Sequence, residues 1–165
     1  MCDKFGEFDS VEEMNRAAAA QFLEGDFEAI REMGKENGLD PEDVADYIDG
    51  YFDFLATAKD AAMGKLNLEM NEKFAATNTM ADWTMQLITM IGKEDEVARA
   101  VRKKGKTLKG MYVHILKWSF KHQKEIDQEI LKEAGITYRV SDGNPSMAQA
   151  RQLIRAYYLG EEDPA

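Results

Sequence analysis

The chain has 165 residues, a formal net charge of -10 and a single cysteine. A chain of that length removes roughly 70% of its unfolded surface from water as one domain or two small helical ones, so neither a disulfide framework nor a structural metal is required for folding. No run approaches the ~18 consecutive apolar residues of a membrane span, MCDKFGEFDS lacks the basic start and apolar stretch of a signal peptide, and Cys2, expected at a frayed end, fits a reducing cytoplasm.

Abundant Ala, Met, Glu, Lys and Leu with only 3 prolines predict an all-α protein of about seven to eight helices. Ser10-Val-Glu-Glu13 is a capping box opening a helix over 11–24, with Val11, Met14, Ala18 and Phe22 inward. Asp26 caps a second helix that stops near Gly38, with Phe27, Ile30 and Met33 inward. Asp40-Pro41 starts a third helix, which carries Val44, Tyr47, Ile48, Tyr51 and Leu55 on one side if it continues through Gly50. Gly50 costs that helix about 1 kcal/mol or breaks it. The Ala- and Met-rich stretch 56–78 reads as a helix interrupted near Gly64. Further helices are expected over 80–91, 94–104, 107–122 and 126–134, with an extended piece at 136–140. Ser146-Met-Ala-Gln149 is a second capping box opening the last helix, which stops at Gly160. The tail EEDPA, 161–165, is expected to be disordered. The ten methionines are assigned mostly to helix cores.

Charge divides the chain. Residues 1–62 hold 17 acids against 5 bases, whereas residues 93–124 hold 10 bases against 3 acids. An acidic N-terminal helical region, 1–62, and a C-terminal helical region, 63–160, containing the basic helix 106–124, are therefore expected. The overall acidity opposes general nucleic-acid binding unless the basic patch lies well apart from the acids.

Over 106–124 the lysines 106, 109, 117, 121 and 124 share one arc of a helix, and Leu108, Met111, Tyr112, Ile115, Trp118 and His122 take the other side. Phe120 and Val113 project among the lysines, a pattern that an acidic partner or single-stranded nucleic acid can use. A buried apolar side with lysines left in water gives the same pattern. Arg102, Lys103 and Lys104 have a simpler explanation, since bases at a helix C-terminus complement its dipole. Gly105-Lys106-Thr107 is not a phosphate loop, because Ala100 stands where the first glycine would be and a helix precedes it.

If the third helix continued through Gly50, Glu42, Asp46, Asp49, Asp53 and Asp60 would align within about 60° as a carboxylate ladder roughly 27 Å long. Such a ladder is a candidate for contact with a basic channel, with Glu28, Glu32 and Asp43 as further acids, although the ordinary reading, a solvated helix face that keeps the protein soluble, is the favoured one. No catalytic constellation is found. His114 and His122 point about 80° apart on one helix without accompanying ligands, and no nucleophile elbow, dinucleotide turn or calcium-loop spacing occurs. No cofactor or metal is expected, and no enzymatic activity.

Three stretches, KFGEFDSVEEMNRAAAA, KGKTLKGMYVHILKWSFKHQK and MAQARQLIRAYYLG, together resemble the PcfK-like small proteins of Firmicutes conjugative and other mobile elements. One branch of that family comprises type II-A anti-CRISPR proteins, inhibitors of the RNA-guided DNA nuclease. The resemblance covers nearly the whole chain, with KWSFKHQ its most distinctive piece. It implies a stoichiometric inhibitor, in a bacterial host cytoplasm, that binds the type II CRISPR-Cas effector nuclease or its guide-loaded form. The lysine side would then meet guide RNA, an acidic nuclease surface or another copy of the chain. The alternative is a nucleic-acid-binding accessory protein of a conjugative plasmid or transposon.

Overall fold

The computed structural model describes residues 5–71 and 77–165, so the expectation for Cys2 lies outside the described residues. The fold is all-α. Nine helices form among the described residues, one more than the upper number expected, beside a two-stranded ribbon. Two compact units are formed, Met1–Lys109 and Gly110–Ala165. The division expected after residue 62 falls inside a helix, the fourth.

The first unit contains α1 (Val11–Glu24), α2 (Phe27–Glu36), α3 (Pro41–Ile48), α4 (Ala58–Met70), α5 (Asn78–Lys93) and α6 (Asp95–Arg102). The caps read from the sequence hold, in that Ser10, Asp26 and Asp40 each accept a backbone N–H in the first turn of α1, α2 and α3, but the box expected at Ser10 is only half made, since the Glu13 carboxylate accepts the Asp9 N–H at 2.6 Å. Met14, Ala18, Ile30, Met33, Leu66, Leu87 and Met90 form its buried interior. Of the nine methionines described, Met14, Met33, Met90 and Met111 are buried, whereas Met70, Met85 and Met147 are exposed, so fewer lie in the core than expected.

Gly64 does not interrupt α4. Its backbone is helical, and the absence of a side chain lets the turn after α2 approach closely: a Cβ on Gly64 would overlap the carbonyl oxygen of Asn37, and one on Gly38 would overlap that of Gly64. The two glycines bring the turn after α2 against the backbone of α4, and Asn37 and Lys65 border one cavity.

The second unit holds nearly all of α7 (Leu108–Lys121), then β1 (Lys124–Glu125), α8 (Gln128–Glu133), β2 (Ser141–Asp142) and α9 (Met147–Leu159). The strands pair antiparallel, with Lys124 opposite Asp142 and Glu125 opposite Ser141. The extended piece expected at 136–140 is therefore displaced to 141–142, and only Val140 joins it, accepting the Ile126 N–H at 2.9 Å. Met111, Ile115, Leu131, Leu153 and Ile154 are buried here. Among the described residues no helix is long and apolar enough to cross a membrane.

Candidate binding surfaces

The third helix stops short of Gly50. Asp49 ends α3, Gly50 takes φ 82°, and the Tyr51 N–H returns to the Asp46 carbonyl at 2.9 Å. That left-handed glycine closure satisfies the last carbonyls and turns the chain away from the axis. The carboxylate ladder is consequently not formed. Glu42, Asp46 and Asp49 stay with α3, Asp53 lies in the irregular connection, and Asp60 sits in the first turn of α4. There the Asp60 carboxylate accepts the Thr57 N–H at 3.0 Å in a capping box. Acids nevertheless gather where α3 and α4 begin: partial burial, then Asp40, Asp60 and Asp46, push the Asp43 carboxyl above its usual range.

The connection after Gly50 carries a feature that helical periodicity missed. Tyr51 is 76% exposed and Phe52 47% exposed between Asp49 and Asp53, and Phe54, also 47% exposed, follows Asp53. Tyr51 was expected on the buried side with Leu55; only Leu55 is buried. The connection is anchored at its far end by Asn15, whose amide donates to the Ala56 carbonyl at 2.9 Å and accepts the Ala56 N–H at 3.1 Å. Nearby in sequence to α2, half-exposed Phe22 meets Phe27 and Tyr47 with ring centroids 5.6 Å apart in each case. The signal was present in Gly50-Tyr-Phe-Asp-Phe: rings at three of four positions cannot all point inward from one helix.

Part of the positive charge is absorbed within the first unit. Arg99 pairs with Glu12 and with Asp95. Lys65, 8% exposed, reaches Glu7 at 2.7 Å and donates to the Lys103 carbonyl at 2.8 Å, while Glu69 accepts the Leu108 N–H at 2.6 Å. Arg102 is 2% exposed; its Nη2 donates to Asn37 Oδ1 at 2.6 Å, and its buried Nε has no partner. Burial lowers the guanidinium pKa, and Glu7, Glu13 and Glu69 oppose that shift. Glu7, Asn37, Lys65, Glu69 and Arg102 border a cavity of about 380 Å³.

On α7 the expected division holds. Leu108, Met111, Tyr112, Ile115 and Trp118 are buried and His122 is half-buried, whereas Lys109, Lys117, Lys121 and Lys124 are exposed. Lys106 is half-buried and precedes the helix; Lys109 belongs to its first turn, in the first unit. Lys117, Phe120 and Lys121 lie on the later turns, and Lys124 lies in β1. Phe120 is 71% exposed. The histidines make local contacts, His114 with Asp163 at 2.8 Å and His122 Nδ1 with the Trp118 carbonyl at 2.8 Å. Among the described residues no group of three His, Cys, Asp or Glu side chains is placed to hold a metal ion.

The tail 161–165, expected to be disordered, is instead held. Glu161 receives Arg155 Nε at 2.9 Å and Nη2 at 2.6 Å, and the Trp118 indole N–H donates to the Pro164 carbonyl at 2.9 Å. The Arg155 hydrogen bonds hold the Glu161 carboxyl below its usual range, against a weaker opposing effect of burial. Composition alone marked the tail as polar; it did not show that α7 and α9 offer donors to it. No family model matches the chain, and no curated protein or solved structure is similar to it.

Proposed function

We propose that the protein is a stoichiometric inhibitor that binds a type II-A CRISPR-Cas RNA-guided nuclease through protein–protein contact. The observation that carries this reading is the connection Asp49–Phe54, where Tyr51 and Phe52 stand exposed between Asp49 and Asp53, and Phe54 stands exposed just after Asp53, on a backbone anchored through Ala56. Exposed aromatics on a fixed backbone are the usual anchors of protein interfaces, and acids at their edge favour a basic surface. RNA-guided nucleases offer such a surface along the channels that hold their nucleic acids. The resemblance of the KWSFKHQ region to PcfK-like proteins supports the choice of target. The acids gathered around Asp43 add a field that speeds encounter and weakens as salt rises.

Cleavage of target DNA by purified, guide-loaded type II-A nucleases tests it. Inhibition near equimolar ratio, declining with ionic strength, is the expected result; complete cleavage at excess protein across several such nucleases overturns it.

A second reading, an accessory protein of plasmid or transposon transfer that binds nucleic acid, is favoured by Phe120 standing exposed on the same helix as Lys117 and Lys121. It predicts a mobility shift of single-stranded DNA or RNA at low salt that disappears as salt increases. No shift at low salt removes it.

A further inference from the structure

The second unit contains a groove that already holds a ligand of its own making. Along α7, His114, Lys117, Trp118, Lys121 and His122 border a cavity of about 430 Å³ whose other wall is the tail segment with Asp163 and Pro164. The tail lines this space and leaves it open. Each polar contact it makes runs the same way: the helices supply donors and the tail supplies acceptors. Arg155 donates to Glu161, His114 meets Asp163 Oδ1, and the Trp118 indole donates to the Pro164 carbonyl. Lys117 and Lys121 are exposed beside them with no ion-pair partner among the described residues. Glu161 and Asp163 are two residues apart on chain that is neither helix nor strand, so their carboxylates meet donors on two helices while a main-chain carbonyl meets the indole.

We propose that this groove is a docking site for an acidic, proline-containing, extended segment of a partner protein, and that Glu161–Pro164 is its intramolecular competitor. Two observations favour a peptide over a nucleic-acid strand. Trp118 is only 7% exposed and one ring face is taken by His122, stacked at 4.2 Å and 20°, so no free platform remains for a base. The indole N–H is matched to a main-chain carbonyl, a group that every residue of a peptide carries. A tethered tail acts at an effective concentration of about millimolar, so a partner must add contacts in the unfilled part of the groove, where Lys117 and Lys121 lie. The inference does not use the aromatic connection of the first unit that carries the nuclease reading.

The test uses the full ¹⁵N-labelled chain and the Trp118 indole N–H resonance, which reports its carbonyl partner directly. In E161A/D163A the resonance is expected to leave its position as the tail lets go. Millimolar Ac-GEEDPA should return it towards that position saturably, with at least a tenfold weaker response from the unsubstituted chain. Glu161 and Asp163 are exposed, and unchanged α9 amide resonances in the variant confirm that the fold persists. An indole resonance unmoved by the substitutions overturns the proposal, as does an equal response to Ac-GKKKPA. A response to oligo-dT without one to the peptide assigns the groove to nucleic acid, and return of the resonance with self-association alone assigns it to a second copy; either outcome overturns the proposal.

Discussion

Arg102 and Asn37 are joined by a 2.6 Å hydrogen bond in the interior of the first unit, and the Asn37 amide in turn donates to the Met33 carbonyl at 2.8 Å. The buried guanidinium thus depends on a neutral acceptor held at the end of α2. N37A is expected to lose about 2–3 kcal/mol, because a charged donor is left without its acceptor. In N37A/R102M the loss should fall below the sum of the single losses, since no charge then needs the amide. Urea midpoints at constant slope measure both effects.

The Gly38–Gly64 approach gives a second contrast. G64A should cost about 2 kcal/mol or more, since the added methyl meets main chain that cannot rotate away. G92A, in a part of α5 where a Cβ meets nothing within 4 Å, should stabilise by about 0.5–1 kcal/mol. Thermal midpoints of the two variants should move in opposite directions.

The same glycines show how far the sequence could be read. The caps at Ser10, Asp26, Asp40 and Ser146 and the buried side of α7 are local patterns, decided within a few residues, and they hold. Gly64 was read as a break, because a helix-weakening residue and a packing glycine look identical until the opposing backbone is known. The ladder of Glu42 to Asp60 failed at Gly50 for the converse reason: a left-handed closure there outweighed continuation of the pattern. The seating of the tail depends, beside the neighbouring Arg155, on donors from α7 far back in the chain, which no local period records.

Asp43 sets a pH dependence. Its folded-state carboxyl pKa is raised, so its favourable contribution is complete below the ordinary carboxylate range and is lost as pH rises through the raised value. D43N should therefore raise the thermal midpoint at pH 7 and flatten its decline between acid and neutral pH. The gain should shrink as salt screens Asp40, Asp60 and Asp46. A midpoint lowered by the substitution would contradict this sign.

Interface substitutions separate the two candidate surfaces. Y51A, F52A and F54A should each weaken nuclease inhibition, the strongest by about 2 kcal/mol or roughly 30-fold, with little change in thermal midpoint because the rings are exposed. K117E/K121E/K124E with F120A should leave inhibition within a few-fold if only the first unit binds, and should abolish any shift of single-stranded nucleic acid. Dose–response curves and mobility assays on the same preparations distinguish the outcomes.

Asn15 grips Ala56 by both of its main-chain polar groups, and the left-handed turn at Gly50 fixes the other end of the same short connection. A segment fastened at both ends has little disorder left to lose on association, so on the proposed role side-chain changes between the fastenings alter which partner is chosen without re-solving how the chain folds. On the proposed role, residues 51–54 are the positions free to follow a changing target, while Asn15 and Gly50 hold the chain in place.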